Sequence, residues 1–220
     1  MDTKKKILFI AICLCAVSCK PNHEKEKQAI RKLPFYNTAD FTPQWIESGS
    51  ALYDSIHTIP AFAFINQDGK AITEKTVAGK IYVADFFFTS CPGICKRLTT
   101  NMALVQNAYK DDAGVLLVSH SVTPENDSIP RLKQYANSFG VVSGKWHLVT
   151  GNRDRIYNIA RRAYFADEDM GEQKSNNDFL HTENLLLIDT HRRIRGVYKG
   201  TSVKDVDDLI ADIQVLKREE

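Results

Sequence analysis

Two short stretches, Ile81–Phe88 (IYVADFFF) and Val115–Val122 (VLLVSHSV), constrain this chain more than anything else in it. Each is a nearly continuous apolar run, the pattern of a strand covered on both faces. Cover must come from helices, and the sequence supplies them. One is expected from near Cys91 to Tyr109, one over Ser128–Phe139 with Pro130 in its first turn, and one over Arg153–Ala163. A last helix carries Val206, Leu209, Ile210, Ile213 and Leu216 close to the i, i+3, i+4, i+7 spacing of one face. Further short strands are expected within Phe35–Trp45, at Ala61–Ile65 before the turn residues Asn66-Gln67-Asp68-Gly69, and at Trp146–Thr150. Leu185–Ile188 and Ile194–Tyr198 flank Asp189-Thr190-His191-Arg192-Arg193 as a hairpin, and residues 164–178 read as a polar loop. Strands alternating with helices, closed by a hairpin and a helix, make an α/β sandwich. A chain of 220 residues can bury such a core unaided. Its 43% hydrophobic and 25% charged residues exclude a disordered or fibrous class, and a formal charge of +2 leaves no footprint for nucleic acid.

The N-terminus speaks to location. Lys4, Lys5 and Lys6 precede an apolar run from Ile7 to Val17, about a dozen residues where a bilayer span needs roughly 20. The run is therefore read as a signal-peptide core. It ends in Ala16-Val17-Ser18-Cys19, small residues leading into a cysteine as in a bacterial lipobox, although Ala16 stands where leucine is commonest. Residues 1–18 are expected to be removed and Cys19 to carry lipid; an ordinary secretory cut near Ser18 is the alternative, and both mean export. Residues 19–34, polar and mixed in sign, read as a tether, and 35–220 as one domain. The expected location is the cell envelope, with the domain lipid-anchored on the extracytoplasmic side of a bacterial membrane.

Export changes the cysteine arithmetic. Of five cysteines, Cys13 and Cys15 leave with the signal and Cys19 is acylated, so Cys91 and Cys95 remain as thiols. One bridge closing so short a loop gains little chain entropy, so the pair reads as chemistry rather than scaffolding. Phe88-Thr89-Ser90-Cys91-Pro92-Gly93-Ile94-Cys95 places the pair where a buried strand hands over to a helix, at i and i+4, within one helical turn. The helix start, with Lys96 and Arg97 nearby, favours thiolate over thiol. Two such thiolates can close a disulfide at an exposed site or clamp a soft metal. A third ligand would choose, and a soft-sulfur site with one imidazole suits copper, particularly Cu(I). The histidines are His23 in the tether, His57 before a strand, His120 in a buried strand, His147 at a strand start, His181 where the polar loop meets the final hairpin, and His191 in the hairpin tip. Their placement alone gives His181 a modest lead.

The order βαβαβ…ββα is that of a thioredoxin-like fold, a central mixed sheet flanked by helices. Thr89-Ser90-Cys91-Pro92-Gly93-Ile94-Cys95 resembles the motif of the Sco/SenC family of membrane-tethered, thioredoxin-fold copper proteins. Ser121-Val122-Thr123-Pro124-Glu125-Asn126-Asp127, Trp146-His147-Leu148-Val149-Thr150-Gly151 and His181-Thr182-Glu183-Asn184-Leu185-Leu186-Leu187-Ile188-Asp189 resemble its later blocks, in order, from about Phe35 to Ile213. The resemblance implies a copper ion held by Cys91, Cys95 and His181. It implies as client the dinuclear copper site of cytochrome c oxidase subunit II, or another exported cuproprotein, served by copper delivery or thiol reduction. The chain departs from the family at Gly93 and Lys96, where an acidic residue and a proline are usual, and at Leu180, where an aspartate commonly precedes the histidine. The alternative is a thiol–disulfide oxidoreductase or redox sensor in which Cys91 and Cys95 are the catalytic pair. Ordinary thioredoxins have two residues between their cysteines and a facing proline, whereas three stand here and none of the prolines lies beyond Pro130. Only copper needs His181, with His120 next in line because its strand should neighbour the one feeding the cysteine loop.

Overall fold

The two apolar runs form the centre of a sheet. The computed structural model describes residues 32–166, 180 and 182–219. Among them the elements are β1 (Phe35–Tyr36), β2 (Pro43–Gln44), β3 (Ala63–Asn66), β4 (Ala71–Thr73), α1 (Glu74–Val77), β5 (Ile81–Phe87) and α2 (Cys95–Ala108). They continue as β6 (Val115–Ser121), α3 (Ile129–Ser138), β7 (Trp146–Thr150), α4 (Arg153–Arg162), β8 (Asn184–Ile188), β9 (Ile194–Lys199) and α5 (Val203–Glu219). Seven strands make one sheet in the order β4-β3-β7-β6-β5-β8-β9, and β1 pairs with β2 apart from it. β5, β6 and β7 are parallel, while β3 and β8 run antiparallel to their neighbours β7 and β5, so the sheet is mixed as expected.

Every residue of β5 and β6 is buried, because helices cover both faces. Strand alternation sorts the side chains. Val83, Phe87 and Leu117 pack with Leu98 and Met102 of α2, Leu132 of α3, and Leu209 and Ile213 of α5. Tyr82, Ala84, Phe86 and Val118 pack on the other face with Val77 of α1 and Ile156 and Ile159 of α4.

Two features go beyond the sequence reading. The turn after β3 returns as β4 and enters α1 through a capping box: Thr73 accepts from the Lys75 amide, and the Thr76 hydroxyl accepts from the Thr73 amide. Four residues are too few for helical periodicity to register. At the other end, Leu33, within the stretch read as tether, is buried. Its N–H donates to Glu219 Oε1 (2.6 Å), and buried Arg195 donates to the Leu33 carbonyl (2.7 Å), the Pro34 carbonyl (3.0 Å) and Glu219 Oε2 (2.5 Å).

Candidate metal centre

β5 ends at Phe87 and the chain turns at once, with the Cys91 N–H donating to the Phe88 carbonyl (3.3 Å). Pro92 disfavours helical backbone at Cys91, and helix starts only at Cys95. The pair therefore does not share one helical turn, as its spacing suggested; Cys91 lies in the loop and Cys95 opens α2. Nor is the site exposed. Cys91 and Cys95 are 8% and 5% accessible, both free thiols, and the exposed residues are Pro92, Gly93 and Ile94 between them.

The two thiols differ sharply. Burial pushes Cys91 up, but the thiol of Cys95 and the backbone amides of Cys95, Gly93 and Ile94 donate to its sulfur, and the balance lowers its pKa. Burial pushes Cys95 up, and its role as donor to Cys91 pushes it further. The site thus holds one thiolate-prone sulfur with its partner's proton pointed at it.

Asp127 anchors the loop. This carboxylate is fully buried and accepts from the Thr89 amide (3.2 Å), the Thr89 hydroxyl (2.5 Å), Ser121 (2.6 Å) and Thr123 (3.1 Å). Arg131 donates to the Thr89 hydroxyl (2.6 Å) from outside. Below the cysteines lies buried Asp85, which accepts from Ser119, itself accepting from Trp146 Nε1 (2.8 Å). Burial raises its carboxyl to about 7 against the opposing Ser119 hydrogen bond. Tyr135 stands over the same spot. Its hydroxyl is 2.7 Å from Thr99 Oγ1, and burial raises its pKa, with the charges of Cys95, Asp85 and Cys91 adding to the rise. Sequence reasoning missed all three. Asp85 alone left a signal, as the single charge in an apolar run.

The histidines divide. His57 pairs with the Ala163 carbonyl (2.8 Å), and Asn66 Nδ2 lies 3.1 Å from His147 Nδ1. His120 is on the strand beside β5, as expected, but alternation turns its ring to the face away from the cysteines. It lies among Phe62, Phe64, Phe86 and Tyr164, and burial lowers its pKa to about 4. On that face its ring is turned away from the two sulfurs, which sets aside the expectation that His120 is next in line as a third donor. His181 and Cys19 lie outside the described residues. Among those described, no three metal-ligating side chains cluster, so the structure brings together Cys91 and Cys95 and leaves the third donor open.

The SCO1/SenC family profile matches residues 51–218. The chain belongs to the SCO1/SenC family. It is 28% identical over 160 residues to the SCO1 protein homolog of Bacillus subtilis, a match covering 72% of this chain and 82% of that one. The crystal structure of a SCO1/SenC family lipoprotein from Bacillus anthracis superposes with a TM-score of 0.64 at 31% identity, covering 73% of this chain and 95% of the other. Arabidopsis thaliana ScoI, crystallised with copper bound, superposes with a TM-score of 0.57 at 27% identity, covering 73% and 98%. These likenesses establish the thioredoxin-like sandwich for this SCO1/SenC chain. At its points of departure, a Cβ on Gly93 would meet nothing within 4 Å, so the fold does not forbid a side chain there. Leu180 is fully buried in the core that faces α4, where a carboxylate would be desolvated.

Proposed function

We propose that the chain is a copper carrier, holding Cu(I) as cargo through Cys91, Cys95 and His181. The carrying observation is the donor pair itself: two soft sulfurs in hydrogen-bond contact at the mouth of a strand–helix junction, one of them already biased toward thiolate. That a relative was crystallised with copper supports the reading. The imidazole's candidacy rests on topology. β8 runs antiparallel to β5 and begins at the end of the sheet where β5 finishes, and His181 precedes it by three positions in sequence. Metal entry displaces the thiol protons, including the one Cys95 holds tightly.

BsSco, whose structure superposes on this chain with a TM-score of 0.60 at 27% identity, is described as a member of the Sco family of cytochrome c oxidase assembly proteins. We take the client here to be cytochrome c oxidase subunit II or another exported cuproprotein, reached from a membrane anchored through lipid on Cys19. The lipoprotein relative supports that anchor, and no helix among the described residues is long and apolar enough to cross a membrane. The test is Cu(I) titration of the reduced chain against a competing chelator. One Cu(I) per chain is expected, with affinity lost in Cys91→Ser and Cys95→Ser and cut sharply in His181→Ala. Wild-type affinity in His181→Ala would remove the imidazole from the site, and no retained copper in the wild type would overturn the carrier reading.

A second reading has its own support. A lowered nucleophile beside a raised, proton-holding partner suits thiol–disulfide exchange, and the BsSco structure is described as revealing a disulfide switch. His181→Ala should spare that chemistry.

A further inference from the structure

The start of α2 breaks the rules for starting a helix. Its N-cap is Ile94, which offers no side-chain hydrogen bond and leaves 47% of its surface exposed. The first turn has no acidic residue and carries Lys96 and Arg97, cations at the end where the dipole favours anions. Among the described residues neither cation has an ion-pair partner. Among the described residues, the nearby acids in sequence are engaged elsewhere: Asp127 is buried under its donors, Glu125 pairs with Arg153 (2.9 Å), and Glu183 with Lys199 (2.9 Å). Arg131, half exposed, stands beside Thr89 and keeps its exposed face to solvent while pairing at 3.8 Å with the buried Asp127. A Cβ on exposed Gly93, between the two cysteines, would meet nothing within 4 Å. Consecutive positions that work against their own helix, all on the lip over two buried sulfurs, are what a surface shaped for something outside the fold looks like.

We propose that this lip, with exposed Ile94 followed by the exposed cations Lys96 and Arg97 and with Arg131 beside Thr89, docks a partner protein whose own thiol or metal site is surrounded by carboxylates. The inference rests on the reading of Cys91 and Cys95 as a transfer site and adds the chemistry of the partner to it. The cations steer an acidic face onto the lip, and Ile94 and Pro92 exclude water from the contact once it forms.

The test uses the reduced full-length chain and two symmetrical peptide disulfides, one with glutamates beside its cysteine and the other with lysines. In each reaction the Cys91 thiolate attacks one sulfur of the probe, forming a protein–peptide disulfide and releasing one peptide thiolate. Cys95 then loses its proton and attacks the Cys91 sulfur, releasing the second peptide thiol. Two electrons pass to the probe and the chain is left with a Cys91–Cys95 bond. At low ionic strength the glutamate probe should react about tenfold faster or more, and the ratio should fall toward one at high salt. The double variant Lys96→Glu/Arg97→Glu should invert the preference, and Gly93→Asp should shrink it. Thermal melts keep the variants honest, because anions suit the helix start and the double variant should melt no lower than the wild type. Equal rates for the two probes at low salt, or a glutamate preference that survives in the double variant, overturns the proposal. Copper titration runs separately. A wild type that fails to retain Cu(I) but prefers the glutamate probe refutes the carrier and leaves the docking lip standing, and the reverse result does the opposite.

Discussion

Cys91 and Cys95 are separated by three residues and by opposite shifts in acidity, which sets an order of reaction. Near neutral pH, limiting iodoacetamide should label Cys91 first, with Cys95 following only at higher pH; peptide mass spectrometry reads the order, and equal labelling would deny the asymmetry. Asp85 gives a second expectation at this scale. An unfolded aspartate titrates at ~3.9, whereas the folded residue is raised to about 7 by burial. The folded state holds the proton more tightly between those values. The stability this residue contributes is therefore full below ~3.9 and lost as pH rises through about 7, a loss of at most ~4 kcal/mol. Asp85→Asn should flatten that slope, so its urea midpoint should fall less between mildly acidic and mildly alkaline pH than the wild type's. A parallel slope in both would show that Asp85 does not set it.

Between elements, the loop carrying Cys91 is held by a carboxylate from the next strand–helix junction. Asp127→Ala strands the Thr89, Ser121 and Thr123 hydroxyls and should cost about 2–4 kcal/mol by chemical denaturation, with Asp127→Asn recovering part of it. Charge reversal at Lys96 or Arg97 should instead add ~0.3–1 kcal/mol each, since the α2 start lacks acidic residues. Where β9 ends, Gly200 lies against α2. A Cβ there would meet Leu98 Cδ1 at 2.7 Å and Leu185 Cγ at 2.8 Å, so Gly200→Ala should lower stability by about 1–3 kcal/mol. The contrast between legible and hidden features belongs to this scale. Val83, Leu117 and their neighbours announced the sheet because burial on both faces leaves a run in the chain. The Cys91–Cys95 pair announced itself by spacing, but its conformation did not, since a proline between the cysteines overrode the helical turn that spacing implied. Asp127 was hidden because two of its four donors come from Thr89, a distant segment that only folding brings beside its own stretch at Ser121 and Thr123. His120 was on the right strand and the wrong face, a distinction that alternation settles only once the register is known.

Across the whole molecule, register gives the sheet two ends with different duties. Tyr82 near the start of β5 aligns with Ile188, and Ile188 with Ile194 at the start of β9, so Arg195 stands where β5 begins. The cysteines stand beyond its other end. Arg195 is 4% exposed and binds Leu33, Pro34 and Glu219 while lying 4.1 Å from the Phe35 ring centre. Replacing it with methionine leaves the Glu219 carboxylate and two carbonyls short of a donor. The cost should be about 3–5 kcal/mol, read by denaturant midpoint, with cysteine alkylation rates unchanged. Altered alkylation would mean the two ends communicate.

The Arg195 clamp also decides how the domain bears load. The described chain enters at Leu33, and the strand between that corner and the cysteine lip spans seven residues, roughly 23 Å. A force applied at Lys32 would be met first by the bonds that tie Leu33 to Arg195 of β9 and Glu219 of α5. The cysteine lip stands beyond the opposite end of β5 and its loop is fixed by Asp127, so the bonds that would carry such a load are not the bonds that shape the working end.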